Sequence, residues 1–202
     1  MQNKETTGIH IEGHLKIYDP TTSEVFVNKR NAIHYENMSI ALANSVANRG
    51  HGFIYKMGFG NGGTAVDPTG IITYLTPNSS GLNSSLYNET YSKIVDDKSY
   101  NNTDPTRNYI ESRHTIGKNY TDVFITCLLD YSEPSGQNAF DTSVSNDSSF
   151  VFDEIGLKSY TDTDNELLLT HVIFHPVQKS LNRLIQIDYT VRIQSLTGIT
   201  GV

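Results

Sequence analysis

The stretch "MGFGNGGTAVD", Met57 to Asp67, carries Gly58, Gly60 and Gly63 in the G-x-G-x-x-G spacing of a dinucleotide-binding turn. That chemistry needs glycines so that backbone amides can approach a pyrophosphate. It also needs a helix directly behind them, whose N-terminal N–H groups and dipole hold the charge. Here Asp67-Pro68 and Gly70 fall where the first helical turns belong, and the acid about 20 residues on, Glu89, follows a polar loop instead of ending a strand. Gly58, Gly60, Gly62 and Gly63 therefore read as a structural turn or bulge at a strand end, with close backbone approach, positive φ at Gly60, Gly62 or Gly63, and no bound nucleotide.

Other residue groups are tested the same way. His171 and His175 have the i, i+4 spacing that shares a zinc ion on a helix, but "HVIFH" is β-branched and aromatic. On a strand that spacing spans about 13 Å, too far for one ion, and His10 and His14 fail for the same reason. They read as exposed or hydrogen-bonded strand histidines. "DTDNE", Asp162 to Glu166, offers alternate carboxylates for a hard cation, yet Leu167 and Ile173 stand where an EF-hand needs Gly and Glu. A solvated turn fits it better, with calcium as the alternative. Asp96 and Asp97 are adjacent, so on a strand they would face opposite ways. There is no G-x-S-x-G elbow, and the single cysteine, Cys127 in "VFITCLLD", reads as a small buried apolar residue. No catalytic, cofactor or metal site is expected, although a dispersed carboxylate pair would escape motif inspection.

The elements that would carry these residues are mostly strands. From Gly8, Ile9, Ile11, Gly13, Leu15 and Ile17 alternate with polar neighbours, and "DPTTSE" turns the chain back into "VFVNK", which predicts a β-hairpin over about 8–30. "HYENMSIALANSVANRG" places Met38, Ala41, Leu42, Ser45 and Val46 on one helical face and ends at Gly50 as C′ residue, predicting one helix over about 35–49. Further strands follow, ending in the alternating run Ile185, Ile187, Tyr189, Val191, Ile193. Between them lie long Asn/Ser-rich loops, "TPNSSGLNSSLYN" and "DDKSYNNTDPTRNY", of a kind that serves as a functional surface or waits for a partner to order it. The fold class is mainly β: an antiparallel β-sandwich-like single domain over 1–202 with one helix.

Composition narrows the partners. A formal charge of −7, with only 15 Lys and Arg spread along the chain, argues against nucleic-acid binding. No stretch nears the roughly 18 apolar residues of a spanning helix, and "MQNKETTGIHIEG" lacks an apolar leader, so neither membrane insertion nor export is expected. One cysteine supports no disulfide framework and fits folding in a reducing cytoplasm.

Taken in order, four pieces resemble the tail-collar and tail-fibre attachment pattern of tailed-bacteriophage virion proteins. "IYKMGFGNGGT" after a helix is similar to their "I-x-x-I-x-F/L-G-x-G-G" strand and turn. "GLNSSLYNETYSKIV" resembles "T-x-L-x-N-E-V-x-R" through Leu86, Asn88, Glu89 and Lys93. "FVFDEIGLKS" resembles "I-x-E-I-G-L-F" through Glu154, Ile155, Gly156 and Leu157, and "LLLTHVIFHPVQKS" resembles their "L-x-A-x-x-x-F-P-P-I-x-K" strand through Pro176 and Lys179. The pieces cover roughly 41–194 of a core module over about 35–196, with the hairpin as an addition in front and no long shaft behind. The resemblance implies a standalone, non-enzymatic structural subunit of the virion, made in the host bacterial cytoplasm. It would form a ring or cluster at the tail, neck or baseplate, and its partners would be itself and other virion or fibre proteins. The alternating strands at both chain ends would pair their free edges with neighbours, and oligomerisation would order the long loops. A carbohydrate-binding β-sandwich using loop Tyr and Asn residues, with 12 tyrosines available, is the alternative.

Overall fold

Alternation places Leu15 and Ile17 on one face of the first strand, β1 (Thr7–Tyr18), and both are completely buried. In the computed structural model, which describes residues 7–82, 84–134, 149–161 and 166–197, β1 turns at Asp19–Glu24 into β2 (Val25–Arg30). The short β3 (Ala32–Ile33) precedes the helix α1 (Tyr35–Val46). Then come β4 (Ile54–Gly60), the small strands β5 (Thr64–Val66) and β6 (Ile72–Tyr74), β7 (Glu89–Ile94), β8 (Tyr109–His114) and β9 (Tyr120–Leu129). Three long strands finish the described chain: β10 (Ser149–Ser159), β11 (Thr170–Ser180) and β12 (Ile185–Thr197).

The strands form two five-stranded antiparallel sheets, β2-β1-β12-β9-β8 and β3-β11-β10-β4-β7, and β5-β6 is a separate two-stranded ribbon. Inward side chains of both sheets meet in one core: Leu15, Ile17, Ile125, Leu129, Ile187 and Tyr189 from the first, Met57, Phe59, Phe150, Phe152, Ile155 and Phe174 from the second. The mainly β, sandwich-like class expected from the sequence is the observed one. Phe152 packs edge-on against Phe59 and Phe174 with centroids at 5.6 and 5.8 Å, and it stacks on Phe150 at 5.5 Å. Each such buried ring contributes about 1.5–3 kcal/mol.

Two expectations are corrected. The terminal strands have no free edges: β1 and β12 pair with each other from Thr7↔Thr197 to Tyr18↔Gln186, β1 also pairs with β2, and β12 with β9. Period-2 alternation fixes which face is buried but does not say which strand lies beside. The sheet edges fall instead on β2 and β8, and on β3 and β7. The 8–30 hairpin accordingly contributes Leu15, Ile17 and Val27 to the same core as the rest of the chain, so it is built into the sandwich and is not a forward addition.

The helix begins on an unforeseen cap, His34, whose Nδ1 accepts a hydrogen bond from the Asn37 N–H. Its inner face buries Met38 and Ala41, while Ser45 and Val46 remain exposed. The left-handed residue closing the helix is Asn48, φ 51°, not Gly50, whose own left-handed φ of 74° comes two residues later. Asn tolerates that region and so substitutes for glycine here.

Lys179 is the one charged side chain on the inner face of β11 at the Phe150 pairing position, and it is almost completely buried. Its Nζ donates to the Ser180 carbonyl at 2.8 Å. Burial lowers its pKa to about 8, against the opposing pull of Glu133 and Asp130. The folded chain thus releases this proton near pH 8 while the unfolded chain holds it to about 10.5. In that window the unfolded state binds more protons, so stability rises with pH. Subtracting the Lys179→Met variant from the parent in denaturant titrations at pH 7 to 11 is expected to isolate this rise. Parallel pH profiles for the two proteins would contradict it.

Candidate functional site

The glycine motif sits on β4, between β10 and β7. Met57 and Phe59 point into the core, so Gly58 and Gly60 lie on the outer face, beside Gly156 and Glu154 of β10 and Ser92 and Glu89 of β7. Three positions without side chains make a trough. A Cβ on Gly58 would stand 3.1 Å from Glu89 Cδ, one on Gly60 2.5 Å from the Asn88 carbonyl, and one on Gly156 2.8 Å from the Thr170 carbonyl and 3.0 Å from Leu86. None of Gly58, Gly60, Gly62 or Gly63 has positive φ; that conformation belongs to Gly50, Gly52, Gly70, Gly81 and Gly117. The positive-φ expectation is therefore overturned, and close approach alone accounts for the glycines.

What approaches is carboxylate. Glu154 is fully buried. Its Oε1 accepts from the N–H groups of Gly62 at 3.1 Å and Asn88 at 2.8 Å, and its Oε2 from the Tyr87 N–H at 3.0 Å and His171 Nε2 at 2.9 Å. Beside it, Asp153 Oδ1 accepts from the Gly63 N–H at 2.9 Å, and Oδ2 from the Thr64 N–H at 2.9 Å and the Thr64 hydroxyl. The turn "GNGGT" is thus an anion cradle after all, with the chain's own carboxylates as the anions. Burial pushes the Glu154 carboxyl up, but the hydrogen bonds from His171, Asn88, Tyr87 and Gly62 outweigh it and leave it below the ordinary glutamate value.

His171, fully buried on β11, accepts the Asn78 N–H at Nδ1, 2.8 Å, so its proton is assigned to Nε2, which donates to Glu154. Glu154 and His171 together fix the "TPNSSGLNSSLYN" loop through Asn78, Tyr87 and Asn88, and Tyr87 O–H closes it on the Thr76 carbonyl at 2.7 Å. The loop needs no oligomer to anchor it. In the second loop, Asn102 Nδ2 donates to the Asp96 and Asn108 carbonyls and Asn108 Oδ1 accepts from the Leu128 N–H, again within the chain.

The pattern residues Leu86, Asn88, Glu89, Glu154 and Gly156 all converge on this trough with Gly58, Gly60 and Gly62. Glu89 reaches along it to ion-pair with Lys158. Pro176 lies elsewhere, where β11 runs from Val177 to Ile173 against Phe152 to Glu154 of β10, and Lys179 is in the core. Sequence reasoning missed Asp153, His171 and Asn78 as partners. The available signal was an adjacent acid pair inside the apolar run "FVFDEIGL".

The remaining candidates stay apart. His175 is exposed with the Tyr74 hydroxyl at 3.4 Å, and His10 and His14 lie exposed on β1. Asp96 Oδ1 accepts from the Lys98 N–H and Asp97 Oδ1 from the Ile110 N–H, in the turn after β7. Asp162 and Asp164 fall outside the described residues, while Glu166 pairs with Lys56 at 2.5 Å. Burial pushes the Cys127 thiol up to about 12, which makes it inert. Among the described residues no three His, Cys, Asp or Glu side chains gather as a metal site. Glu154, with its lone-pair directions taken by four donors and no exposure, has no capacity for a substrate or ion. What it does is mechanical: it fixes the loop, while Asp153 fixes the base of the β5-β6 ribbon.

One open feature is a cavity of about 590 Å3 between α1 and the inner face of the first sheet, walled by Met38, Leu42, Phe53, Ile110, Val123 and Ile193. Asp96, Asp97 and Lys98 add polar lining. No protein-family model, curated protein or solved structure matches the chain.

Replacing Glu154 with alanine leaves the buried His171 Nε2–H and three partly buried amides without their acceptor and is expected to cost roughly 1–3 kcal/mol at neutral pH, read from the urea midpoint. Because its carboxyl is depressed, the stability it contributes is complete above the unfolded value and disappears as pH falls through the folded one. The Glu154→Ala and parent stabilities should therefore converge in acid. A variant with the parental midpoint at pH 7 would contradict the lock.

Proposed function

We propose that the chain is a non-enzymatic structural subunit of a tailed-phage virion, assembling with copies of itself and neighbouring proteins at the tail, neck or baseplate. The observation that carries the assembly part is the β5-β6 ribbon. A two-stranded ribbon alone is marginal in water, yet this one stands outside both sheets with Val66 64 %, Ile71 61 % and Tyr74 53 % exposed. Leu75, Leu82 and Tyr87 extend the exposed apolar surface along the adjoining loop. Such surface is characteristic of an interface.

The ribbon is held ready for contact. Asp153 binds its first residue, Leu75 N–H donates to the Gly63 carbonyl, and Asp67 Oδ1 accepts from the Thr69 N–H, the Thr69 hydroxyl and the Ile71 N–H in its turn. A projection organised in advance loses less entropy on docking. The virion location is supported by the ordered pattern from Gly58 through Lys179. No described helix is long and apolar enough to cross a membrane.

The glycan-binding alternative draws on a stacked pair, Phe53 and Tyr160, with centroids 5.2 Å apart and an interplanar angle of 6°, beside the α1 cavity. Glycan-array binding that disappears in Phe53→Ala would favour it.

For the leading reading, light scattering across a concentration series is expected to show a defined oligomer of the purified chain, and antibodies raised to it should label one position on phage particles. A monomer at every concentration together with unlabelled particles would overturn it.

A further inference from the structure

Of the edge strands, β8 (Tyr109–His114) is the one whose sequence complements itself. We propose that two copies of the chain join edge to edge along β8, antiparallel about a two-fold axis at Ser112, so that their first sheets become one. This rests on the assembly reading above and names a surface between copies.

The edge is open. Glu111, Ser112, Arg113 and His114 are all exposed. The Ile110 N–H goes to Asp97 Oδ1 at 3.2 Å instead of to β9, so the N–H and C=O groups of Ser112 and His114, two and four residues on, also point away from the sheet. Such a row of backbone groups is a template for a further strand. The other edges suit a second copy less. β3 has only two residues, and the only charges of β2 are the cations Lys29 and Arg30, which would meet like charge. Every residue of β7 is partly covered, and its Glu89 and Lys93 are already paired with Lys158 and Glu133.

The charges select the register. Ile110 and Ser112 line the α1 cavity on the inner side, so Glu111 and Arg113 lie on the outer face, paired at 2.6 Å yet 46 % and 58 % exposed. With Ser112 opposite Ser112, Glu111 of each copy stands directly opposite Arg113 of the other, and four charges of alternating sign surround the axis. Sliding by two residues either way, which is the nearest register that keeps the backbone bonds, sets Arg113 against Arg113 or Glu111 against Glu111 and is repelled.

The neighbouring acids do not oppose this arrangement. Asp122, opposite Arg113 within the chain, is held by both Arg192 nitrogens. Asp97 sits at Ile110, opposite His114 of the second copy, and the two Ile110 positions lie about 13 Å apart along the strands. That exceeds the screening length of roughly 8–10 Å, so the two Asp97 carboxylates barely meet. Asp96 and Lys98, beside it in the turn, offset each other. The β8-β9 turn adds apolar surface, because the same register carries Ile116, 95 % exposed, to the start of the second copy's β8. One self-complementary edge meeting its copy is an isologous contact, which closes as a pair.

The test uses the full chain in light scattering across a concentration series at low salt. The parent is expected to contain an even number of copies. Ser112→Pro removes a backbone donor that points away from the sheet, which an edge strand tolerates, and is expected to cut the parental mass to half or less. Glu111→Arg and Arg113→Glu each make both cross-copy pairs repulsive and are expected to raise the concentration for half-association about tenfold or more. Mixing these two variants in equal amounts restores both attractive pairs and should recover the parental mass, and the protein carrying both changes should keep it. Circular dichroism checks the fold of each, and the charge reversals decide alone if Ser112→Pro fails to fold. Parental association in a folded Ser112→Pro or in either single reversal, or no recovery on mixing, overturns the β8 contact and leaves the assembly reading standing on another surface. A parent that is monomeric at every concentration removes both.

Discussion

The structure depends on one buried carboxylate. Glu154 lies in the second sheet, where an unpaired charge would be prohibitive. It is tolerated because three backbone N–H groups from two distant segments and one imidazole converge on it. The requirement runs both ways. The partly buried amides of Gly62, Tyr87 and Asn88 and the buried imidazole of His171 would all lose their acceptor if the carboxylate were gone, so the turn and the loop are tied to the same group. Glycine at positions 58, 60 and 156 is the steric condition for this, because any Cβ there would occupy the space that Glu89, Asn88, Leu86 and the Thr170 carbonyl take.

From that lock the remaining architecture follows outward. Asp153, one residue before Glu154, uses the same cradle to hold the first residue of β5, so the ribbon leaves the sandwich from a fixed base. His171 carries the restraint to Asn78 and the far side of the loop. The exposed apolar side chains Val66, Ile71 and Tyr74 are thereby displayed on a fixed support, and the proposed assembly role rests on that display.

The sequence made the fold class, the hairpin and the helix legible because each is written in a local period: two for β1 and β2, about 3.6 for the Met38–Ala41 face. The neighbour relations were not. Nothing within β1 specifies that its partner is β12, some 170 or more residues away, and so strands that looked like free edges are the interior of a sheet. The glycine motif was half legible. Its composition indicated close approach to something, but glycine is required equally by positive φ and by steric intrusion, and only the partner distinguishes them. That partner, Asp153-Glu154, is separated by 92 residues from Gly62 and by 66 from Asn88. The same distance hid the purpose of the Asn/Ser-rich loop, whose lack of period concealed three backbone groups committed to Glu154 and His171.

The central claim, that this carboxylate lock holds the ribbon base and the loop as firmly as the sheets, is tested most directly by amide hydrogen exchange on the unmodified protein. The amides of Gly62, Gly63, Thr64, Tyr87 and Asn88 are predicted to exchange as slowly as those in the middle of β10, opening only with global unfolding. Rapid, loop-like exchange at these five amides while β10 remains protected would contradict it.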